Sequence, residues 1–419
     1  MKKLIRIFLF SGMLSAMLCT IGCKHNTNID SKTTEAAYPV EADCYLRRLG
    51  ISDEGIVFVE DNLYCFFDYE TNEKLILCSK INCPHRKLTE DEISNGMEAC
   101  SAYTTYDDRA EYSIIYRNKR YEVYGDYARS IIYVSEWDGS GKKELCSFEG
   151  CVFGQMKISD SKLWFILNRE HSVEIEENFN KSVNEFFPAV VNLQNGNITM
   201  CEQSWAENEE VFINMNLYFC DDKYMYFSED TRKVQIYTSA VAMERATTGG
   251  TYAEETTSFT FWRMGIDGRA EQFTNFNPGN DGFISCVGPH TMFYHDSEGE
   301  WWSMDYASGV VQKITKNDVP EFETENERYY SEINEEGSVI GMRVKNFVDG
   351  TEKVAYFPPN EIRRFIVGNH IIFVHYLDDI ESCPNPEERR KVYRIYTLAD
   401  FFKGDFSNRK EVEIPSSVW

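Results

Sequence analysis

The stretch VGPHTMFYH at residues 287–295 recurs 80 positions later as VGNHIIFVH at residues 367–375. Each copy has the form of a tight turn followed by a strand, because Gly, Pro and Asn precede a run of apolar residues. Looser copies, in which Asp opens the turn, occur at residues 53–58, 160–165 and 221–226. The repetition predicts a chain that is built from one recurring strand unit.

A second pattern follows these copies and consists of a polar turn between two apolar strands. Gly or Asn in each turn supplies the positive φ that a tight hairpin needs. The turns lie at residues 68–73, 137–141, 193–197, 266–269, 305–309 and 348–351, with a weaker seventh near 398–405. Antiparallel hairpins that recur roughly every 40–70 residues are typical of a β-propeller, whose blades stack around an axis to bury one another's faces.

We therefore predict an all-β fold, a β-propeller over residues 43–419, with seven blades favoured and six or eight compatible with the pattern. Seven blades leave about 54 residues for each, more than the usual propeller repeat of ~40–45 residues. Several blades must then carry insertions, for which the candidates are residues 86–112, 170–188, 229–257 and 378–391. The alternative is a two-layer β-sandwich with irregular loops. Short helices are predicted at Thr89–Met97 and Leu398–Phe402.

The first 22 residues have the composition of an export signal. Lys2, Lys3 and Arg6 precede an apolar run that ends at Gly22, and such a run after a charged start is typical of a signal peptide. Thr20-Ile21-Gly22-Cys23 resembles a bacterial lipobox, in which the thiol of the cysteine is diacylated and the signal is cut just before it. Two acyl chains suffice for stable anchoring.

This resemblance predicts a lipoprotein that is acylated at Cys23. Residues 1–22 are then the signal peptide, and residues 23–42, which hold few apolar residues, form a flexible tether. The predicted location is the extracytoplasmic face of the cell membrane, where the lipid anchor makes the membrane itself a partner. The alternative is a plain secretory peptide with a chance cysteine.

The charge of the chain excludes one class of partner. The sequence has 43 Lys and Arg against 68 Asp and Glu, a net charge of −25. A chain this acidic lacks the basic surface that neutralises a phosphate backbone, so we predict no nucleic-acid partner. A hydrophobic content of 42% is enough for a large core.

The concentrated chemistry of the sequence lies at residues 78–103. Cys78, Cys83, His85 and Cys100 supply three thiols and one imidazole, the ligand set of a closed Cys3His zinc site. Pro84 stiffens the turn between Cys83 and His85. The cofactor prediction is a structural zinc, since four protein ligands leave no open position. A Cys78–Cys83 or Cys83–Cys100 disulfide and free thiols are the alternatives.

The same stretch carries a family resemblance. Residues 77–85, followed by Cys100-Ser101-Ala102-Tyr103, resemble the LCxKxxCxH…CxAY signature of uncharacterised propeller lipoproteins of gut Gram-positive anaerobes. The order of lipobox, tether, Cys/His cluster and repeated hairpins is also similar. The resemblance implies an envelope-attached propeller of unknown activity and assigns no catalytic residues.

Signals for catalysis are weak. The sequence contains no Gly-rich phosphate loop, HExxH or G-x-S-x-G motif. The pairs His290/His295 and His370/His375 are five residues apart, so on a strand their side chains point to opposite faces. The acid-rich stretch Glu321–Glu327 is predicted to be a solvated loop, with calcium binding as the alternative.

Two functions remain open from the sequence. The first is a binding or scaffold module whose ligand is a peptide, a glycan or a partner envelope protein, since the loops of a rigid scaffold carry recognition. The alternative is a carbohydrate-active or hydrolytic propeller enzyme. Trp262, Trp301 and Trp302 are predicted to pack in the core, and stacking on sugar rings is their alternative role.

Overall fold

The computed structural model describes residues 40–41, 50–52, 54–105, 110, 112–125, 129–159, 161–176, 179–208, 211–233, 255–274, 282–358, 363–377 and 390–414. The predicted signal peptide, Cys23 and most of the predicted tether lie outside the described residues. In the described part of the chain, no helix is long and apolar enough to cross a membrane.

Seven antiparallel sheets in a ring form a seven-bladed β-propeller. Blade 1 contains β2 (Gly50–Ile51), β3 (Gly55–Glu60), β4 (Leu63–Asp68) and β5 (Glu73–Ile76). Blade 2 contains β6 (Tyr112–Tyr116), β7 (Lys119–Gly125), β8 (Arg129–Glu136) and β9 (Lys143–Glu149). Blade 3 contains β1 (Val40–Glu41), β10 (Val152–Ser159), β11 (Lys162–Glu176), β12 (Phe179–Asn192), β13 (Ile198–Met200) and β14 (Trp205–Ala206). The prediction of an all-β propeller with seven blades is confirmed, and the two-layer sandwich is excluded.

The remaining four blades each have four strands. Blade 4 contains β15 (Val211–Cys220), β16 (Tyr224–Lys233), β17 (Glu255–Gly265) and β18 (Ala270–Thr274). Blade 5 contains β19 (Phe283–Val287), β20 (Thr291–His295), β21 (Trp301–Asp305) and β22 (Val311–Ile314). Blade 6 contains β23 (Phe322–Glu323), β24 (Glu327–Ile333), β25 (Val339–Asn346) and β26 (Glu352–Tyr356). Blade 7 contains β27 (Arg363–Val367), β28 (His370–Tyr376), β29 (Lys391–Thr397) and β30 (Lys410–Ile414). The helices are α1 (Glu90–Ser94), which lies within its predicted segment, and α2 (Leu398–Lys403), which ends one residue beyond its predicted segment. A 3-10 turn lies at Lys316–Asp318.

The position of a strand within its blade decides how much of it is buried. If β1 is set aside, the first strands of neighbouring blades contact one another, as β2 with β6, β10 with β15, β15 with β19 and β19 with β23. The second strands are buried on both faces, because each blade lies between two others, and their sequences are nearly continuous apolar runs. The last strands, such as β5, β22 and β26, are largely exposed. The core therefore lies between the blades.

Blade 7 closes the ring against blade 1. One apolar cluster holds Ile56 and Phe67 of blade 1 together with Ile372 and Tyr393 of blade 7. The ring of Tyr69 lies 4.7 Å from that of His370. Burial, with a smaller effect of Lys410, lowers the pKa of His370 to about 4, so the imidazole is neutral at pH 7.

The repeated turn of residues 287–295 is fastened by a residue from the next blade. The carboxylate of Glu323 accepts hydrogen bonds from the backbone N–H groups of His290 and Thr291, both at 3.0 Å. It also accepts from Nε of Arg328. A Cβ on Gly288 would lie 2.4 Å from Cβ of Glu323, so this glycine permits the close approach. The prediction that residues 321–327 form a solvated loop is wrong for Glu323, whose side chain is fully buried.

The predicted insertions have different structures. Residues 170–188 extend the β11–β12 hairpin, because the two strands pair from Lys162 with Asn192 out to Glu176 with Phe179. Residues 86–112 hold α1 and Cys100, the last of the four Cys/His cluster residues. Most of residues 229–257 and 378–391 lies outside the described residues. Val40 and Glu41, within the range predicted as a tether, pair with Ile158 and Lys157 of β10.

Candidate metal centre

The Cys/His insertion leaves and rejoins blade 1 at a single residue of β4. The backbone oxygen of Tyr64 accepts from the N–H of Leu77 at 2.9 Å, and the N–H of Tyr64 donates to the oxygen of Ala102 at 2.8 Å. Leu77 and Ala102 are both fully buried. Cys78 follows Leu77 and Cys100 precedes Ala102 by two residues, so these anchors hold the two cysteines near one another.

A tight turn positions the other two cluster residues. Asn82 has a φ of 58° and His85 a φ of 49°, so the chain reverses twice around Pro84. The N–H of Cys83 donates to the oxygen of Lys80 at 3.2 Å. Nζ of Lys80 in turn reaches across the insertion to the oxygen of Ala99 at 2.7 Å. The turn therefore brings Cys83 and His85 opposite the chain segment that ends at Cys100.

The four predicted ligands converge. One ligand atom from each of Cys78, Cys83, His85 and Cys100 lies within 4.8 Å of all the others. Sγ of Cys100 lies 3.6 Å from Nδ1 of His85. Sulfur ligands about 2.3 Å from a tetrahedral zinc lie about 3.8 Å apart, so only a small contraction of the group would complete the site. The three cysteines are free thiols in the structure.

The pKa values of the Cys78 and Cys100 thiols are shifted in opposite directions by their surroundings. Burial raises the pKa of Cys78, but hydrogen bonds from the Ser101 side chain and from backbone N–H groups outweigh it and bring the pKa down to about 7. Burial raises the pKa of Cys100 to about 12. A divalent cation binds thiolates, so metal binding would release the proton of Cys100.

A hairpin of blade 2 supports the cluster from outside. The hydroxyl of Ser79 donates to the carboxylate of Asp138, and the hydroxyl of Ser101 donates to the backbone oxygen of Asp138 at 2.7 Å. The residues next to Cys78 and Cys100 are thus tied to the β8–β9 hairpin. Sequence reasoning missed Asp138 as a supporting residue, although it had identified the hairpin turn at residues 137–141.

The far end of the insertion is a capped helix. The hydroxyl of Thr89 accepts from the N–H of Glu92, and the Glu92 carboxylate accepts from the N–H of Thr89, which is a capping box at the start of α1. The Arg86 guanidinium and the Thr89 N–H lower the pKa of Glu92 to about 2. Leu88 is the apolar residue that buries this end.

The structure separates the other side chains that the sequence singled out. His290 lies beside Glu325, with 3.3 Å between Nε2 and Oε2, whereas His295 packs against Trp301. Trp262 packs on Trp205 with ring centroids 5.3 Å apart, which confirms a packing role for Trp262. Within the described ranges, the Cys78 group is the one cluster of three or more ligand side chains that could hold a metal.

Comparison with known proteins identifies no family. No family model and no curated protein matches the chain. Solved structures that are similar include TolB from Acinetobacter baumannii, with 11% identity, 87% of this chain and 78% of that chain covered, and a TM-score of 0.33. An oligogalacturonate lyase in complex with manganese has 12% identity, coverage of 81% and 86%, and a TM-score of 0.40. The β-propeller domain of the Trilobed protease from Pyrococcus furiosus has 10% identity, coverage of 88% and 99%, and a TM-score of 0.41.

Proposed function

We propose that the chain is a binding or scaffold protein of the cell envelope, built on a propeller whose first two blades are fastened by a structural zinc. The observation that carries this proposal is the convergence of Cys78, Cys83, His85 and Cys100. Four protein ligands fill a zinc tetrahedron and leave no position for water or substrate, which favours a structural ion over a catalytic one.

The placement of the cluster supports a fastening role. Its flanking residues are bonded to β4 of blade 1 through Tyr64 and to the β8–β9 hairpin of blade 2 through Asp138. A bound ion would lock the insertion against both blades at once. A rigid ring with loops that are held in this way suits recognition, because binding residues act best on a fixed scaffold.

The metal content of the purified full chain tests this proposal. We expect about one zinc per chain by elemental analysis, and all three cluster thiols titratable once the protein is denatured in a chelator. A preparation with no metal and two fewer titratable thiols before reduction would show that a disulfide occupies the cluster, and the zinc would be rejected.

We also propose that Cys23 is diacylated and holds the propeller on the extracytoplasmic face of the membrane. The support is the lipobox resemblance of residues 20–23 and the resemblance of residues 77–103 to propeller lipoproteins. We expect the protein made in a bacterial host that processes lipoproteins to incorporate labelled palmitate and the Cys23→Ser variant to incorporate none. Two acyl chains give membrane binding that the aqueous phase does not reverse. Equal incorporation of palmitate by the two proteins would contradict acylation at Cys23.

A further inference from the structure

A polar cavity of about 230 Å³ lies between blades 1 and 2, beside the Cys/His insertion. At the volume of liquid water it would hold roughly seven or eight molecules, which is the size of a small metabolite or of one residue of a larger one. Its walls come from β4, β7, the β8–β9 hairpin and the end of the insertion. The lining residues are Tyr64, Ser101, Tyr103, Thr104, Thr105, Arg120, Glu122, Tyr124, Gly139 and Lys142.

Arg120 forms the buried end of this cavity and has one unused donor. The residue is only 2% exposed. Its Nη2 donates to Glu122, its Nε lies 3.4 Å from the hydroxyl of Ser113, and its guanidinium lies over the ring of Tyr64 at 4.1 Å. Nη1 is buried and has no acceptor among the described residues. A buried guanidinium N–H without an acceptor is costly, and such a group calls for a partner.

The carboxylate of Glu122 is not that partner, because it accepts from Nη2 of Arg120 and no hydrogen bond joins it to Nη1. Oε1 accepts from Arg120 and from the hydroxyl of Tyr124, and Oε2 lies 2.8 Å from Nζ of Lys142. Burial raises the pKa of Glu122, but Arg120 and Lys142 outweigh it and hold the pKa below its usual value. The cavity wall therefore contains two cations and one ionised carboxylate, a surplus of one positive charge.

Among the described residues that line the cavity, Glu122 is the single carboxylate. Asp138 precedes Gly139 of the cavity wall, but its carboxylate accepts from the hydroxyl of Ser79 and from the N–H of Ser140. It does not line the cavity. The chain as a whole has a net charge of −25, so most of its surface repels anionic ligands. The cavity wall, with one more positive than negative charge beside the buried Arg120, instead attracts them.

We propose that this cavity binds the carboxylate of a small molecule, which accepts from Nη1 of Arg120 and pairs with Lys142. A carboxylate carries the one negative charge that the wall lacks and fits the planar donors of a guanidinium. Ser101, whose hydroxyl can still accept a hydrogen bond, and Tyr103 line the part of the cavity that the rest of the molecule would occupy. This inference rests on the proposed function, since it names the ligand class of the binding module.

Two acids and their neutral counterparts test the proposal on the full chain whose zinc content has been measured. N-acetylglycine represents a carboxylate from an amino acid, and D-glucuronate represents one from a sugar. The controls are N-acetylglycinamide and methyl glucoside, and the titration is followed by ligand-observed NMR up to about 10 mM, because one charged contact gives affinities near the millimolar range. We expect saturable binding of one or both acids and none of the neutral compounds. The tighter acid identifies the source of the carboxylate.

Two substitutions are expected to change the affinity in opposite directions. Lys142→Gln removes the surplus charge at a side chain that is 38% exposed, so the fold tolerates it, and we expect about tenfold weaker binding. Glu122→Gln leaves Arg120 and Lys142 without their carboxylate, so the ligand should bind about tenfold tighter and raise the melting temperature of this variant more than that of the wild type. Lys143→Gln, which makes the same charge change at the next residue outside the cavity, should bind as the wild type does.

The proposal is overturned if no acid binds to the folded chain, if inorganic phosphate binds more tightly than both acids, or if Lys142→Gln leaves the affinity unchanged. Carboxylate binding by a chain that holds no zinc would contradict the metal proposal alone. A zinc-loaded chain that binds no carboxylate would contradict this inference alone. The two failures are therefore distinguishable.

Discussion

Replacing Cys100 by serine is expected to reduce the zinc content of the protein from about one ion per chain to near zero. Cys100 is the buried member of the cluster, and its sulfur lies 3.6 Å from Nδ1 of His85. A neutral hydroxyl cannot replace a thiolate on zinc, and structural zinc supplies about 10–16 kcal/mol of apparent binding free energy in isolated zinc-finger peptides. The loss of zinc should therefore exceed that caused by any single substitution in the insertion outside the four ligands.

The change should also be visible as local unfolding. The seven sheets do not depend on the ion for their hydrogen bonds, so the ring should remain folded while the insertion opens. We expect trypsin to cleave the Cys100→Ser variant after the exposed Arg86 or Lys87 at concentrations that leave the wild type intact.

Two further variants test whether the loss of zinc is specific to the cluster. Cys65→Ala removes a buried thiol of the same blade that lies outside the cluster, and it should keep its zinc. Cys100→His offers another zinc ligand and should recover part of the metal content. A Cys100→Ser protein that retains a full equivalent of zinc would rule out the Cys3His assignment.

Replacing Glu323 by alanine is expected to lower the free energy of unfolding by about 3–5 kcal/mol, the usual cost of removing one partner from a buried ion pair. The side chain of Glu323 is fully buried and accepts from two backbone N–H groups of blade 5 and from Arg328 of blade 6. Its loss would leave the backbone N–H groups of His290 and Thr291 without their acceptor and the guanidinium of Arg328 without its carboxylate. Urea unfolding followed by tryptophan fluorescence measures the change.

A neighbouring residue supplies the matched control. Glu325 is about half exposed and forms a surface pair with His290 at 3.3 Å. Such pairs contribute about 0–1 kcal/mol, so Glu325→Ala should unfold close to the wild type. Glu323→Gln, which keeps an acceptor oxygen, should fall between the two. If Glu323→Ala and Glu325→Ala were equally stable, the carboxylate would not fasten blade 5 to blade 6.

The architecture was predictable because its determinants are local in sequence. A turn followed by an apolar strand is written in consecutive residues, and the repeat of 287–295 at 367–375 makes the unit recognisable. The glycines of the hairpin turns, such as Gly196 and Gly309, have the positive φ that their positions required. The four cluster residues were found for the same reason, since Cys78 to Cys100 span only 23 residues of the sequence.

The supporting contacts were not predictable because they join residues that are far apart in the sequence. Glu323 lies 33 residues from His290, and its acid-rich surroundings pointed to a solvated loop. Asp138 lies 59 residues from Ser79. The cavity also escaped notice, because a strand with Arg120 and Glu122 at alternate positions is typical of a solvated face. Only the packing of blade 1 against blade 2 buries that face.

The order of the strands has a consequence for how such a molecule diversifies. Apart from β1, each blade comes from one uninterrupted stretch of the chain, and blade 7 meets blade 1 through side chains such as His370 and Tyr69. Duplication or deletion of one gene segment thus adds or removes a whole sheet with its own hydrogen bonds intact. The number of blades can therefore change by one at a time during evolution. A sheet whose strands came from two distant segments could be removed only if both segments were deleted together.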